Sequence, residues 1–343
     1  MKRFTTLAAV GCLATLTGCM SNHVKLHDYQ ITPIPMTEFP PSKQDLLGEQ
    51  QKIVLLATEY DESSDARFAK VVTTMLKQDL MEARKTVVDR KLAAKMKKEI
   101  VAAEASGIYR TSGPLIAEIA VLPKVVSTSW GASFTAAESR QDDEGKVHTT
   151  PAYCDFTGNA KIYVRSYRIP SMELISTHEF QGKHETKSET NNSSCPTSNG
   201  AVAGLISNAV KKSIDDNSHE LLNDFAPKGY VLERRDTPKG SKSLIRISVG
   251  TEHGAADGAK VVFKRKEKRI NPLTDKETIE YVPLGEGSIT NLLDVNGAWV
   301  KPKSKSVTET LRVGDVAELQ FTKCKPGNVL VLGVCIPKYL SKI

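Results

Sequence analysis

The 343-residue chain carries no arrangement of residues that announces a reaction. His-Glu-x-x-His is absent, which removes the commonest zinc hydrolase signature. Gly-x-Ser-x-Gly is absent, which removes the strained serine turn of the α/β-hydrolases. Gly285-Glu286-Gly287 has neither the helix nor the lysine of a phosphate-binding loop. The histidines His23, His27, His148, His178, His184, His219 and His253 are scattered, and the one combination worth testing as a metal site is His148, Asp155 and His178. Aromatic residues make up only 6% of the chain, and no zinc-finger spacing, recognition-helix pattern or ladder of aromatic and basic residues is present. The chain therefore reads as non-catalytic, with no metal, cofactor or nucleic-acid partner expected. Its function has to be argued from location and assembly.

A hydrophobic fraction of 40% is enough for real cores, and the length accommodates two domains. The formal charge of +7 is spread along the chain, a balance that favours anionic surfaces in general. Its densest concentration is Lys264, Arg265, Lys266, Lys268 and Arg269, beside a hairpin tip at Asn271-Pro272-Leu273-Thr274-Asp275. Two readings stand for this patch: a solvated hairpin, or a surface for an acidic partner or a lipid.

Lys2 and Arg3 followed by the apolar stretch Leu7 to Leu16 have the form of an export signal, too short for a spanning helix. Leu16-Thr17-Gly18-Cys19 resembles the lipobox of bacterial lipoproteins. The resemblance implies removal of residues 1–18 and lipidation of Cys19, and Met20 in place of Asp implies sorting to the outer membrane, with the protein facing the periplasm. Each buried acyl methylene stabilises anchorage by about 0.8 kcal/mol. Residues 19–51, with Pro33, Pro35, Pro40 and Pro41, read as a tether holding the folded body off the inner leaflet, with Tyr29, Ile31, Ile34 and Phe39 available to touch a neighbouring subunit. In an oxidising periplasm the remaining cysteines can pair, most economically Cys154 with Cys195 and Cys324 with Cys335, or stay as buried thiols.

Lys52 to Thr58 is a short apolar run that reads as a buried strand. Phe68, Val71, Val72, Met75, Leu76 and Leu80 then recur at helical spacing, and Leu92, Met96, Ile100 and Ala103 begin a second stripe after a short strand at Thr86 to Asp89. Leu115 to Leu122 and Val125 to Phe134 are strand candidates, followed by a polar loop or hairpin tip at Ala136 to Thr150. Lys161 to Arg168 alternates polar and apolar residues and pairs with Glu173 to Phe180 as a hairpin. Gly182 to Gly200 reads as a mobile loop, Ala201 to Ile214 as a helix with a further turn at Ser218 to Phe225, and Gly229 to Gly240 as a domain junction. Beyond it Leu244 to Val249, Lys260 to Arg265, Thr278 to Val282, Gly287 to Val295, Ala298 to Lys301 and Val316 to Thr322 are short strands of a small all-β barrel.

The first set of elements resembles the periplasmic α/β domain of CsgG-type curli-secretion lipoproteins and of the amino-terminal part of TolB. The likeness rests on Ile53 to Leu56, the helix from Asp65, Val87-Val88-Asp89-Arg90, the Ile162 to Phe180 hairpin and the helix from Ala201. The second set is similar to the SH3-like β domain that ends the flagellar protein FlgT, at Ile247-Ser248-Val249-Gly250, Gly258-Ala259-Lys260-Val261 and Gly314-Asp315-Val316. The fold expected is α+β: a CsgG/TolB-like α/β sandwich over 52–228, a small SH3-like barrel over 241–323 and an extension over 324–343. Relatives of this kind form rings or scaffolds at the outer membrane. The resemblance therefore implies a homo-oligomer in contact with other proteins of an envelope machine, flagellar or secretory. An adaptor for a cell-wall enzyme and a secretion pore are the alternatives, the pore disfavoured because neither Trp130 to His148 nor Gly182 to Gly200 alternates like a membrane strand.

Overall fold

The computed structural model describes residues 23–43, 52–62, 66–83, 86–87, 118–169, 171–323, 328–331 and 334–337. Cys19 with its leader, the stripe at Leu92 to Ala103, and Cys324 lie outside those residues.

In chain order the strands are β1 (Gln30–Thr32), β2 (Lys52–Leu55), β3 (Glu59–Tyr60), β4 (Thr86–Val87), β5 (Ile119–Thr135), β6 (Glu138–Gln141), β7 (Val147–Thr150), β8 (Tyr153–Arg168) and β9 (Glu173–Glu189). They continue as β10 (Lys228–Asp236), β11 (Ser243–Ile247), β12 (Lys260–Ile270), β13 (Glu277–Leu293), β14 (Ala298–Pro302), β15 (Val316–Gln320), β16 (Asn328–Val331) and β17 (Val334–Pro337). The α-helices are α1 (Ala66–Glu82), α2 (Asn199–Asp224) and α3 (Lys305–Thr310). The class is α+β.

The first sheet runs β4-β2-β5-β8-β9, with β3 also against β5. β2 and β5 are parallel, while β5, β8 and β9 are antiparallel. Ile53 and Leu55 face the core under α1 and α2, while Val54 and Leu56 face a second cluster with Leu122, Tyr167 and Met172. Burial on both faces is why this strand reads as an unbroken apolar run. Phe68, Val72, Leu76 and Leu80 of α1 are buried at the helical spacing, and Val71 and Met75 pack at the margin. β5 continues through Pro123, which falls where the strand changes parallel neighbour from β2, paired up to Val121, to β3, paired from Lys124. A proline is tolerated at such a gap in the ladder.

The second sheet closes. Its order is β10-β11-β14-β13-β12-β15, and β15 pairs back with β10, giving a six-stranded barrel around Ile245, Val261, Phe263, Val300 and Leu319. Three corrections to the sequence reading arise here. Most of the stretch Gly229 to Gly240 is barrel strand rather than a junction: β10 runs to Asp236 and pairs with β11, β15 and β1, and residues 237–240 turn into β11. Thr278 to Val282 and Gly287 to Leu293 belong to one long strand, β13, with an irregular register opposite Phe263 and Lys264, and Val295 lies in the turn beyond it. Residues 23–42 are not a free tether. β1 pairs with β10, Met36 bridges to Val313, and Ile34 packs on the barrel core.

The two bodies meet where α2 runs into β10. Asn223 accepts a hydrogen bond from Phe321 N (2.8 Å) and donates one to Phe321 O (3.0 Å), and Phe321 is buried in the first core.

Candidate assembly surface

β5, β8 and β9 extend well past the other strands of their sheet. Pairing between β5 and β8 runs out to Thr135↔Tyr153, and between β8 and β9 to Tyr153↔Glu189. Gly182 to Glu189 is thus strand, not the mobile loop its Thr, Ser and charge content suggested. The polar stretch after β5 is a small hairpin, β6 with β7.

This three-stranded ribbon persists because one helix lies along it. α2 has 26 residues and spans about 39 Å. Ser198 caps it by accepting a hydrogen bond from Ala201 N at 3.2 Å. Its buried face, including Leu205, Ile206, Ala209, Val210, Ser213 and Ile214, rests on β8 and β9. Close approach needs two glycines on adjacent strands. A Cβ on Gly182 would lie 2.1 Å from Ala209 O and 2.5 Å from Ser213 N, and one on Gly158 would lie 2.8 Å from Leu205 O. The helix backbone from Leu205 to Ser213 therefore sits in a seat made by absent side chains.

A covalent tie secures the far end. Cys154 on β8 is bonded to Cys195, just before α2, with Cα atoms 5.7 Å apart. The bridge closes 41 residues of sequence, for which the loop-entropy model gives about 4 kcal/mol. Cys335 stands opposite Leu330 in the β16–β17 hairpin, and its proposed partner Cys324 is outside the described residues.

Registration assigns the faces. Trp130 opposes Gly158, Ala132 opposes Phe156 and Phe134 opposes Cys154, so these residues share the helix side of the ribbon. α2 covers β8 and β9 but leaves Trp130 45% exposed on β5. The opposite face is polar: Ser129 and Ser133 on β5, Asp155 and Lys161 on β8, Lys183, Glu185 and Lys187 on β9. Lys161 pairs with Glu179 at 2.9 Å and Lys187 with Asp155 at 3.5 Å, exposed pairs that contribute little.

The edges differ most. Among the described residues, 129–135 of β5 and the whole of β9 have a strand neighbour on one side only. Residues 125–137 contain no charged side chain, in a chain that is 25% charged. Soluble proteins normally protect such an edge with charge, proline or a covering element. No sequence pattern flagged this edge, because its exposure depends on where β2 and β3 stop.

The basic patch is largely neutralised within the barrel. Arg265 makes a two-pronged contact with Asp315 (3.0 and 2.7 Å) and donates to Thr310 O at 2.6 Å. The Asp315 side chain is 0% exposed, and its hydrogen bonds with Arg265 raise the guanidinium pKa against the effect of burial. Lys264 reaches Glu318 at 3.1 Å, Lys268 meets Glu277, and Arg269 meets Glu280 at 2.9 Å. Lys266, cross-strand from Tyr281, has no carboxylate partner among the described residues.

The three residues considered for a metal stand apart. His148 meets Asp142 at 2.8 Å on the β6–β7 hairpin, Asp155 meets Lys187, and His178 meets Asp224 at 2.7 Å on the other side of the ribbon. Among the described residues no group of three or more His, Cys, Asp or Glu could hold a metal ion. Asp224 also accepts a hydrogen bond from Ser176 at 2.5 Å, so this cluster ties β9 to the end of α2. The hydrogen bond with Asp224 raises the His178 pKa, opposed by burial and helped by the charges of Asp224 and Glu220. No described helix is long and apolar enough to cross a membrane.

No family model and no curated protein matches the chain. Solved structures similar to parts of it include rare lipoprotein B from Shewanella oneidensis, at 11% identity and TM-score 0.24, over 49% of this chain and 97% of that one. Lipoprotein GNA1162 from Neisseria meningitidis is similar at 11% identity and TM-score 0.21, over 47% and 96%. A PelC dodecamer from Paraburkholderia phytofirmans is similar at 8% identity and TM-score 0.21, over 54% and 96%.

Proposed function

We propose that this protein is a non-catalytic, lipid-anchored scaffold subunit of the bacterial envelope that assembles side by side into a ring at the outer membrane. The single observation that carries the reading is the ribbon whose β5 residues 129–135 and whose β9 have, among the described residues, a strand neighbour on one side only, the first of these edges being free of charge. Edge β5 of one subunit and edge β9 of the next are different surfaces of the same sheet. Their pairing is a heterologous contact, which closes into a ring when the rotation between subunits divides a full turn. Trp130 and Phe134 would be covered at that junction.

On this reading the first body is a CsgG/TolB-like domain, the barrel is an SH3-like module, and the Cys19 lipobox supplies the anchor. A ring of this kind belongs to a machine such as a flagellar motor or a secretion system. A membrane pore is disfavoured by the ribbon itself: its more apolar face is occupied by α2 and its other face carries Asp155, Lys161, Lys183, Glu185 and Lys187.

The test is the size of the particle extracted gently from its own membrane, by mass spectrometry and negative-stain imaging. Wild type is expected as a many-copy ring and Trp130→Lys as a monomer of unchanged stability. A wild-type monomer under these conditions sinks the ring and moves the weight to an adaptor that recruits a cell-wall enzyme.

A further inference from the structure

The path of residues 23–42 bears on which part of the molecule lies at the lipid. Val24 is held at both backbone positions by one side chain: its N–H donates to Asn291 Oδ1 at 2.9 Å, and Asn291 Nδ2 donates to its carbonyl at 3.3 Å. A few residues on, β1 pairs with Asp236, Arg235 and Arg234 of β10. Asn291 is on β13, which β14 and β11 separate from β10 in the sheet, so the segment joins two strands that are not neighbours in the barrel. Leu244 and Trp299 alternate with core residues and face outward, yet they are only 1% and 3% exposed. The guanidinium groups of Arg235 and Arg246 flank the Trp299 ring at 5.2 and 5.7 Å. Farther along, Val313 N donates to Pro35 O at 2.9 Å and Thr37 N to Val313 O at 2.8 Å. The segment is a strap fixed at its start, middle and end.

A free tether over residues 19–51 would extend to about 110 Å. With Val24 fixed, the reach from Cys19 is five residues, about 17 Å.

We propose that the barrel wall at Asn291, with the adjoining turn from Asp294 to Gly297, lies against phospholipid headgroups, and that the strap sets this distance. The inference rests on the Cys19 anchor of the proposed function. The turn suits such a position. Val295 is 58% exposed at its tip, and the Asp294 carboxylate is neutralised by Arg246 at 2.6 Å. Lys25, at the start of the strap, is exposed and carries a positive charge that suits an anionic headgroup.

The experiment uses the full lipidated chain in vesicles that contain a phospholipid with a photoactivatable headgroup, and maps the adducts by peptide mass spectrometry. Wild type is expected to carry adducts on residues 23–26 and 291–297. A 30-residue Gly-Ser spacer, with an r.m.s. span of about 30 Å, placed after Asn22 should lower the adducts at 291–297 by about fivefold or more. The same spacer after Gly48, beyond the strap, should leave them unchanged. Flotation with the vesicles reads the anchor separately. A chain that floats, but whose adducts fall elsewhere or ignore the Asn22 spacer, overturns the inference and leaves the anchor standing. A chain that does not float overturns both.

Discussion

In the barrel, each of the six strands has a neighbour on both sides, and several of its charged groups are matched, Arg265 with the buried Asp315 and Lys264 with Glu318. In the ribbon of β5, β8 and β9 the sheet stops among the described residues, and one helix, two glycines and one disulfide hold what pairing alone would leave marginal. A closed sheet satisfies its own backbone, whereas an open one leaves rows of donors and acceptors for another chain. On the proposed function, the difference leaves the barrel self-contained beside the strap and makes the ribbon the surface for contact between subunits.

That contrast can be broken or sharpened by experiment. The largest effect is expected inside the barrel. Asp315→Ala leaves Arg265 buried without its partner and removes the acceptor of Arg312 N, for a loss of about 3–5 kcal/mol by urea denaturation. A loss below about 1 kcal/mol would mean that the ion pair is incidental to closure.

Next comes the ribbon's covalent tie. Opening Cys154–Cys195 by the double serine variant should cost about 2–4 kcal/mol, and hydrogen exchange should rise at the far ends of β8 and β9 while β11 to β14 stay protected. Uniform loss of protection in both sheets would show that they unfold as one unit. Gly182→Ala should cost about 1–3 kcal/mol, since the new methyl group meets helix backbone rather than a movable side chain. The same change at the exposed Gly204, where nothing lies within 4 Å, should be neutral or slightly stabilising.

The smallest effect is pH-dependent. The folded state binds the His178 proton more tightly than the unfolded chain, whose imidazole titrates near about pH 6.5. The stabilisation is complete below that value and is lost as pH rises through the raised folded pKa. His219 works in the other direction, because burial lowers its pKa. The clean measurement is the difference between wild type and His178→Gln in unfolding free energy, which should shrink from pH 6 to pH 8. A difference that stays constant would show that Asp224 gains nothing from a charged imidazole.

The open edge sits outside this ladder of stabilities. Trp130→Lys should leave the monomer's denaturation midpoint alone and change only its assembly, the opposite signature to Asp315→Ala.

The sequence was legible wherever one residue's environment repeats along the chain. The run from Ile53 to Leu56, the stripe from Phe68 to Leu80 and the alternation from Ile162 to Arg168 each report burial by local period, and each is where the periodicity placed it. The cysteine pair Cys154 and Cys195 was legible for a different reason, since few pairings were available.

Other features carry no local period. Gly182 to Glu189 looked like a loop because one face of that strand is charged and the other is a glycine seat under a helix that comes later in the chain. Residues 23–42 looked like a linker because their prolines and isolated apolar residues acquire meaning only beside β10, β13 and Val313. Lys264 to Arg269 looked like a basic patch because its carboxylates lie on β13, on β15 and at Asp315 just before β15. By itself the sequence determined the elements with a clear apolar period, such as Lys52–Leu55, Ala66–Glu82 and the inward face of Tyr153–Arg168, since that period follows from the covalent repeat of the backbone. Tertiary structure alone decided which edges close, which charges meet and where the N-terminal segment lies, because those depend on partners distant in the chain.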